Sequence, residues 1–181
     1  MKKTRLLVLL SCYLSLAVGL DLIKKFIPFL NMPNGGSINI ALIPIVFCSF
    51  HLGIKYGFIT GFLWFVVSSI IGLNSYFISF FQILADYIIP SCIIGLAGIF
   101  YKKKNIFEIE IGILLTMLIR TFSICLSGAY FWFDESLSAG SLNAWIGSLV
   151  YNLPYSLLTT LMLLIVIPLL LKYLKNYLYN N

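Results

Sequence analysis

The sequence predicts an all-α integral membrane protein, a bundle of six transmembrane helices with both termini cytoplasmic. Composition, the length of the apolar runs and the placement of the basic residues carry that prediction. The 181 residues are 61% hydrophobic and 10% charged, with a mean hydropathy of +1.02. A soluble domain of this length cannot bury so much apolar surface, so lipid must be the solvent for much of it. The net charge is +6, but the basic residues are scattered among apolar runs instead of forming a stripe. That pattern suits membrane topology and not a nucleic-acid interface.

Apolar runs of about twenty residues place the spans near 6–29, 38–51, 55–73, 78–100, 107–131 and 144–171. The second is short and holds Pro44, which predicts a kinked, tilted or partly re-entrant segment. The last is long enough to tilt or to protrude from the bilayer. The first, with its basic start, imitates a signal peptide, and Leu9-Leu10-Ser11-Cys12 imitates a lipoprotein box. Cys12 comes too early to leave an apolar region before it, and apolar character resumes beyond Asp21 and Lys25. A retained first helix is therefore expected. Connections are short, so residues 1–181 read as a single transmembrane domain.

With both ends inside, the cytoplasmic segments hold Lys2, Lys3, Arg5, Lys55, Lys102, Lys103, Lys104, Lys172 and Lys175. The outer segments hold only Lys24 and Lys25, and the outer loop before the last span carries Asp134 and Glu135. This is the positive-inside bias, and it requires an even number of spans.

Two ladders of small residues recur at a spacing of four, which puts each on one helix face: Ser11, Ser15 and Gly19, then Gly53, Gly57 and Gly61. Internal packing explains either ladder. For the first, the alternative is docking of a separate membrane subunit.

Polar groups inside a span are costly and face a cavity or a partner. Asp86 leads, about a third of the way down the fourth span, with Gln82 one turn before it on the same face. Tyr87 and Tyr76 supply aromatic surface nearby, and Arg120 on the fifth span lies at a comparable depth. Either Asp86 and Arg120 simply neutralise each other, or at least one of them addresses a ligand. Trp132 closes the fifth span, and the sixth carries Trp145, Tyr151, Asn152 and Tyr155. An interfacial belt accounts for Trp145 but not for Asn152, whose amide needs partners inside a span. A carboxylate, aromatic planes and an amide together suit a flat, nitrogen-rich, possibly cationic ligand.

Cys12, Cys48, Cys92 and Cys125 stand alone in apolar stretches and read as buried small hydrophobes, with no metal-ligand spacing. His51, the single histidine, reads as a solvated residue of an inner connection. No nucleophile elbow, phosphate-binding glycine loop or HExxH is present. The expectation is a non-enzyme without a cofactor, in which any use of ATP comes from a partner.

These residues carry a family resemblance. Met32-Pro33-Asn34-Gly35-Gly36-Ser37-Ile38 with Leu42-Ile43-Pro44-Ile45 resembles the first outer loop and second helix of the thiamine-specific substrate-binding (S) subunits of energy-coupling factor (ECF) transporters. Gln82-Ile83-Leu84-Ala85-Asp86-Tyr87 is similar to that family's Gln-x-Leu-x-acidic-Tyr signature. Arg120 with Ser127-Gly128-Ala129 and Phe131-Trp132, and Ser148-Leu149-Val150-Tyr151-Asn152, resemble its fifth and sixth helices. The resemblance spans roughly residues 10 to 170. It implies a six-helix subunit that captures a vitamin outside and hands it inward, driven by an energising transmembrane subunit and a pair of ATP-binding subunits. The family's ligand residues then fall on Tyr76, Asp86, Tyr87, Trp132 and Asn152, with Gln82 alongside. Three positions depart from the pattern: Ile124 stands where the family has histidine, Gly147 where it commonly has tyrosine, and Gly36 where some members have tryptophan.

Three functions are thus weighed: a thiamine-binding subunit, the same subunit for a thiamine precursor or another small nitrogenous vitamin, and a small membrane enzyme or assembly factor.

Overall fold

The computed structural model describes residues 3–31, 36–74, 76–100, 105–132 and 138–174. Among them the chain forms six longer helical segments, besides a 3-10 turn at Pro28–Leu30: α1 (Lys3–Lys25), α2 (Leu42–Leu52), α3 (Ile54–Ile70), α4 (Phe80–Phe100), α5 (Ile106–Phe131) and α6 (Leu142–Tyr173). Four of them, α1, α4, α5 and α6, are long and apolar enough to cross a membrane, whereas α2 and α3 have 11 and 17 residues. Large apolar side chains such as Leu16, Leu118, Phe122 and Ile165 point outward, as expected of a bundle whose solvent is hydrocarbon.

Helix starts follow local chemistry. Asn105, Ser79 and Ser141 each accept a backbone N–H two or three residues ahead, capping α5, α4 and α6. Only Gly53 separates α2 from α3, at φ 98°, a left-handed conformation that favours glycine. The inner connection expected to hold His51 is therefore not there. His51 sits in the last turn of α2, half-buried, with Nδ1 2.7 Å from the Tyr13 hydroxyl of α1.

The second glycine ladder is internal packing. A Cβ at Gly57 would lie 2.7 Å from the Gly95 Cα, and one at Gly61 would strike the Ser91 carbonyl. α3 and α4 touch backbone to backbone there, as small-xxx-small faces allow. α2 lies at the centre, against α1, α3, α4 and α6, and Leu42, Ile45, Val46 and Phe50 fill the core. Cys48 and Cys125 are buried as expected, but Cys12 is exposed on the outer face of α1. Residues 32–35, Lys102 to Lys104, Asp134, Glu135 and Lys175 lie outside the described residues.

Candidate ligand-binding site

α4 is built to present Asp86. Its first turn is a variant of the capping box: the Ser79 hydroxyl accepts the Gln82 N–H at 3.2 Å, and Gln82 Oε1 reaches past the cap to accept the Ile78 N–H at 3.3 Å. The other end of the fully buried Gln82 amide donates from Nε2 to Asp86 Oδ2 at 3.0 Å. Next comes a π-turn over Leu84–Ile88, in which the Ile89 N–H reaches back to the Leu84 carbonyl. Continuing that pattern would have residue 90 donate to the Ala85 carbonyl, but Pro90 has no N–H. The Ser123 hydroxyl of α5 takes its place, donating to the Ala85 carbonyl at 2.7 Å. The irregularity thus aims Asp86 across the bundle and fastens α5 beside it, a common use of π-turns.

Trp132 closes the same carboxylate from the end of α5, donating its indole N–H to Asp86 Oδ2 at 3.1 Å. Its ring meets Tyr76 edge to face at 6.0 Å, and the Tyr87 hydroxyl donates to the Tyr76 carbonyl at 3.2 Å. Tyr76, Gln82, Asp86, Tyr87 and Trp132 therefore come together around one carboxylate. Both donors use Oδ2, and no described residue donates to Oδ1.

Asn152 belongs to a second, adjoining network. Its Nδ2 donates to the Ser148 carbonyl at 2.8 Å and to the Ser148 hydroxyl at 3.1 Å, and its Oδ1 accepts the Tyr155 hydroxyl. The Ser148 hydroxyl in turn donates to the Cys125 carbonyl at 2.8 Å. Gly128 permits this contact, since a Cβ there would collide with the Ser148 side chain. The partners that an intramembrane amide requires are on its own helix. Arg120 lies buried between the networks, with Asp86 and Tyr155 as its electrostatic neighbours. It forms no ion pair with Asp86, because the salt bridge among the described residues is Lys24–Asp21. Simple mutual neutralisation does not describe the two groups.

The departures have distinct settings. Ile124 is buried, and Gly147 faces open space, with no atom within 4 Å of an added Cβ. Gly36 lies against Tyr151 and Tyr155, which fill the space a side chain would need, and its N–H donates to the Tyr151 hydroxyl at 2.8 Å.

With this geometry in place, comparison with known proteins is decisive. Residues 11–179 match the family model described as thiamine transporter protein. The chain belongs to the thiamine transporter family. The thiamine transporter ThiT of Bacillus subtilis is 35% identical over 150 residues, covering 77% of this chain and 76% of that one. The fold is also that of the solved ThiT structure from Listeria monocytogenes, with a TM-score of 0.75 at 22% identity over 93% of this chain and 96% of that one. Membership in the thiamine transporter family makes the chain a multi-pass membrane transport protein and not an enzyme.

In this member of the thiamine transporter family, α1 carries two opposite faces. Tyr13, Ala17 and Asp21 point into the bundle. Ser11, Ser15 and Gly19 line an open apolar groove with Leu7, Leu16 and Ile23, and an added Cβ at Gly19 would meet nothing within 4 Å. Asp21 escaped the sequence reading as a functional group. It is buried, paired with Lys24 at 2.7 Å, and accepts the Trp64 indole N–H at 3.2 Å and the Ser68 hydroxyl at 3.3 Å. The available signal was an acidic residue in an apolar run with lysine three positions on, a pair that shares one helix face.

Proposed function

We propose that the protein is the substrate-binding S subunit of an ECF importer, and that it binds thiamine at the Asp86 site on the outer side of the membrane. The observation that carries this reading is the Asp86 carboxylate. Gln82 and Trp132 hold one of its oxygens, and no described residue donates to the other. An aminopyrimidine offers the amine hydrogen such an oxygen needs, and Tyr76, Tyr87 and Trp132 offer the surface a flat aromatic cation needs. Asn152 adds a second polar contact if Tyr155 releases its oxygen on binding.

In this reading both termini are cytoplasmic, all six helices serve the bilayer domain, and the groove at Ser11, Ser15 and Gly19 receives the energising transmembrane subunit. ATP-binding subunits drive uptake through that partner. A thiamine precursor is the second reading, favoured by Ile124 and Gly147, which supply less polar and aromatic surface than the family pattern. Calorimetric titration of the purified protein with thiamine and with its aminopyrimidine and thiazole halves tests both. Tightest binding of whole thiamine supports the first reading, tighter binding of one half supports the second, and binding of none of the three refutes both.

A further inference from the structure

An amide can donate at one end and accept at the other, and the surroundings of Asn152 decide which end is spent. Its Nδ2 lies 2.8 Å from the Ser148 carbonyl, and a backbone carbonyl can only accept, so the NH2 group faces that oxygen. The second amide hydrogen goes to the Ser148 hydroxyl at 3.1 Å. That hydroxyl has one hydrogen, committed to the Cys125 carbonyl of α5 at 2.8 Å, so toward Asn152 it can only accept. Both amide hydrogens are thus taken. Tyr155 donates its hydroxyl to Asn152 Oδ1, and this oxygen keeps a further lone pair.

Burial preserves this polarity. Ser148, Asn152 and Tyr155 are each less than a tenth exposed, so the network is shielded from exchange with water. A reversed amide would set its oxygen against the Ser148 carbonyl, two acceptors face to face. Gly128 keeps the space open, since a Cβ there would strike the Ser148 hydroxyl and come within 3.3 Å of Asn152 Nδ2.

We infer that Ser148 is a positioning residue that sets ligand selectivity: by spending both hydrogens of the Asn152 amide, it makes Asn152 meet the ligand as an acceptor. This holds whether Tyr155 stays on Oδ1 or is displaced. The inference rests on the thiamine reading and deepens it. Asp86, as a carboxylate, also only accepts, so both polar groups of the site read hydrogen-bond donors. An exocyclic amine is the group that such acceptors select. An oxo group in its place would set lone pairs against lone pairs, and a site built for an N–H rejects an analogue that lacks it. The site therefore distinguishes a 4-aminopyrimidine from a 4-oxopyrimidine, and Ser148 supplies part of the distinction without touching the ligand.

The test is a ratio of affinities. Thiamine and its analogue with the pyrimidine amine replaced by an oxo group are titrated by calorimetry into wild type and Ser148→Ala. Wild type should prefer thiamine by about a hundredfold. In Ser148→Ala one amide hydrogen is freed to meet an oxo group, and the preference should fall about tenfold. Ser148→Cys, close in size and a weak hydrogen-bonding group, should show the same fall and serves if the alanine variant does not fold. In Asn152→Ala the further change Ser148→Ala should leave the ratio unmoved, because Ser148 acts through that amide. A purely structural role would weaken both ligands by one factor and leave the ratio of wild type, which overturns the inference. Equal binding of the two ligands to wild type overturns it without any variant. Failure of wild type to bind thiamine overturns the thiamine reading itself, and this inference with it.

Discussion

Trp132 donates its indole N–H to Asp86 across 46 positions of sequence, tying the end of α5 to the π-turn of α4. One side chain thereby both orients the carboxylate and provides an aromatic wall against Tyr76. The two contributions are separable. Trp132→Phe keeps a ring and loses the donor, while Trp132→Ala loses both. Calorimetry should show thiamine affinity falling about tenfold or more in Trp132→Ala and by a smaller factor in Trp132→Phe. Equal affinities in the two variants and wild type would remove Trp132 from the site.

The Asp21 cluster makes a prediction about stability. Trp64, Ser68 and Lys24 all address this buried carboxylate, and the first two, from α3, hold α1 against that helix. Truncation to Asp21→Ala leaves the Lys24 ammonium and the indole N–H without their acceptor. Breaking a buried pair costs about 3–5 kcal/mol, and the upper part of that range is not expected where Lys24 is partly exposed. The thermal midpoint of the detergent-solubilised protein should fall by several degrees. Lys25→Ala, which loses only an exposed bond to the Gly72 carbonyl, should leave it nearly unchanged.

Much of this was legible in the sequence because the signals were local. Apolar run length placed the helical segments to within about four residues at each end, the end of α1 and the start of α2 being the largest misses, and the spacing of Gln82 and Asp86 put both on one face. The π-turn was hidden because nothing in Leu84–Ile88 announces it; only the missing N–H of Pro90 hints at an unpaired carbonyl. His51 misled because a histidine near a lysine looks solvated, whereas its partner Tyr13 lies 38 residues away. Asn152 was rightly read as needing partners, but Ser148 and Tyr155 on its own helix supply them. Arg120 was paired with Asp86 by depth alone. Depth does not reveal that Gln82 and Trp132 already occupy one oxygen of that carboxylate.

The groove on α1 yields a separation of binding from transport. Ser15 is exposed there, between Ser11 and Gly19. Ser15→Trp fills the groove without entering the Asp86 site. Thiamine uptake by cells should be abolished while the purified variant binds thiamine as tightly as wild type. Joint loss of binding and folding would mark the ladder as internal packing instead.

Orientation is tested by labelling. Single cysteines at Ser138 and Lys103, in a variant lacking the four native cysteines, should differ in intact cells. An impermeant thiol reagent should label position 138 and spare position 103. Equal labelling would contradict cytoplasmic termini.

The central claim is that Asp86 holds the ligand, and the most direct test is the thiamine affinity of Asp86→Asn by calorimetry. The substitution keeps the size of the side chain and an oxygen for Gln82 and Trp132, but removes the charge that strengthens a hydrogen bond to the ligand amine. A charge-assisted bond of this kind contributes about 1.5–3 kcal/mol, so affinity should fall about tenfold to a hundredfold in a folded variant. A folded Asp86→Asn protein that binds thiamine as tightly as wild type would contradict the account and place the site elsewhere.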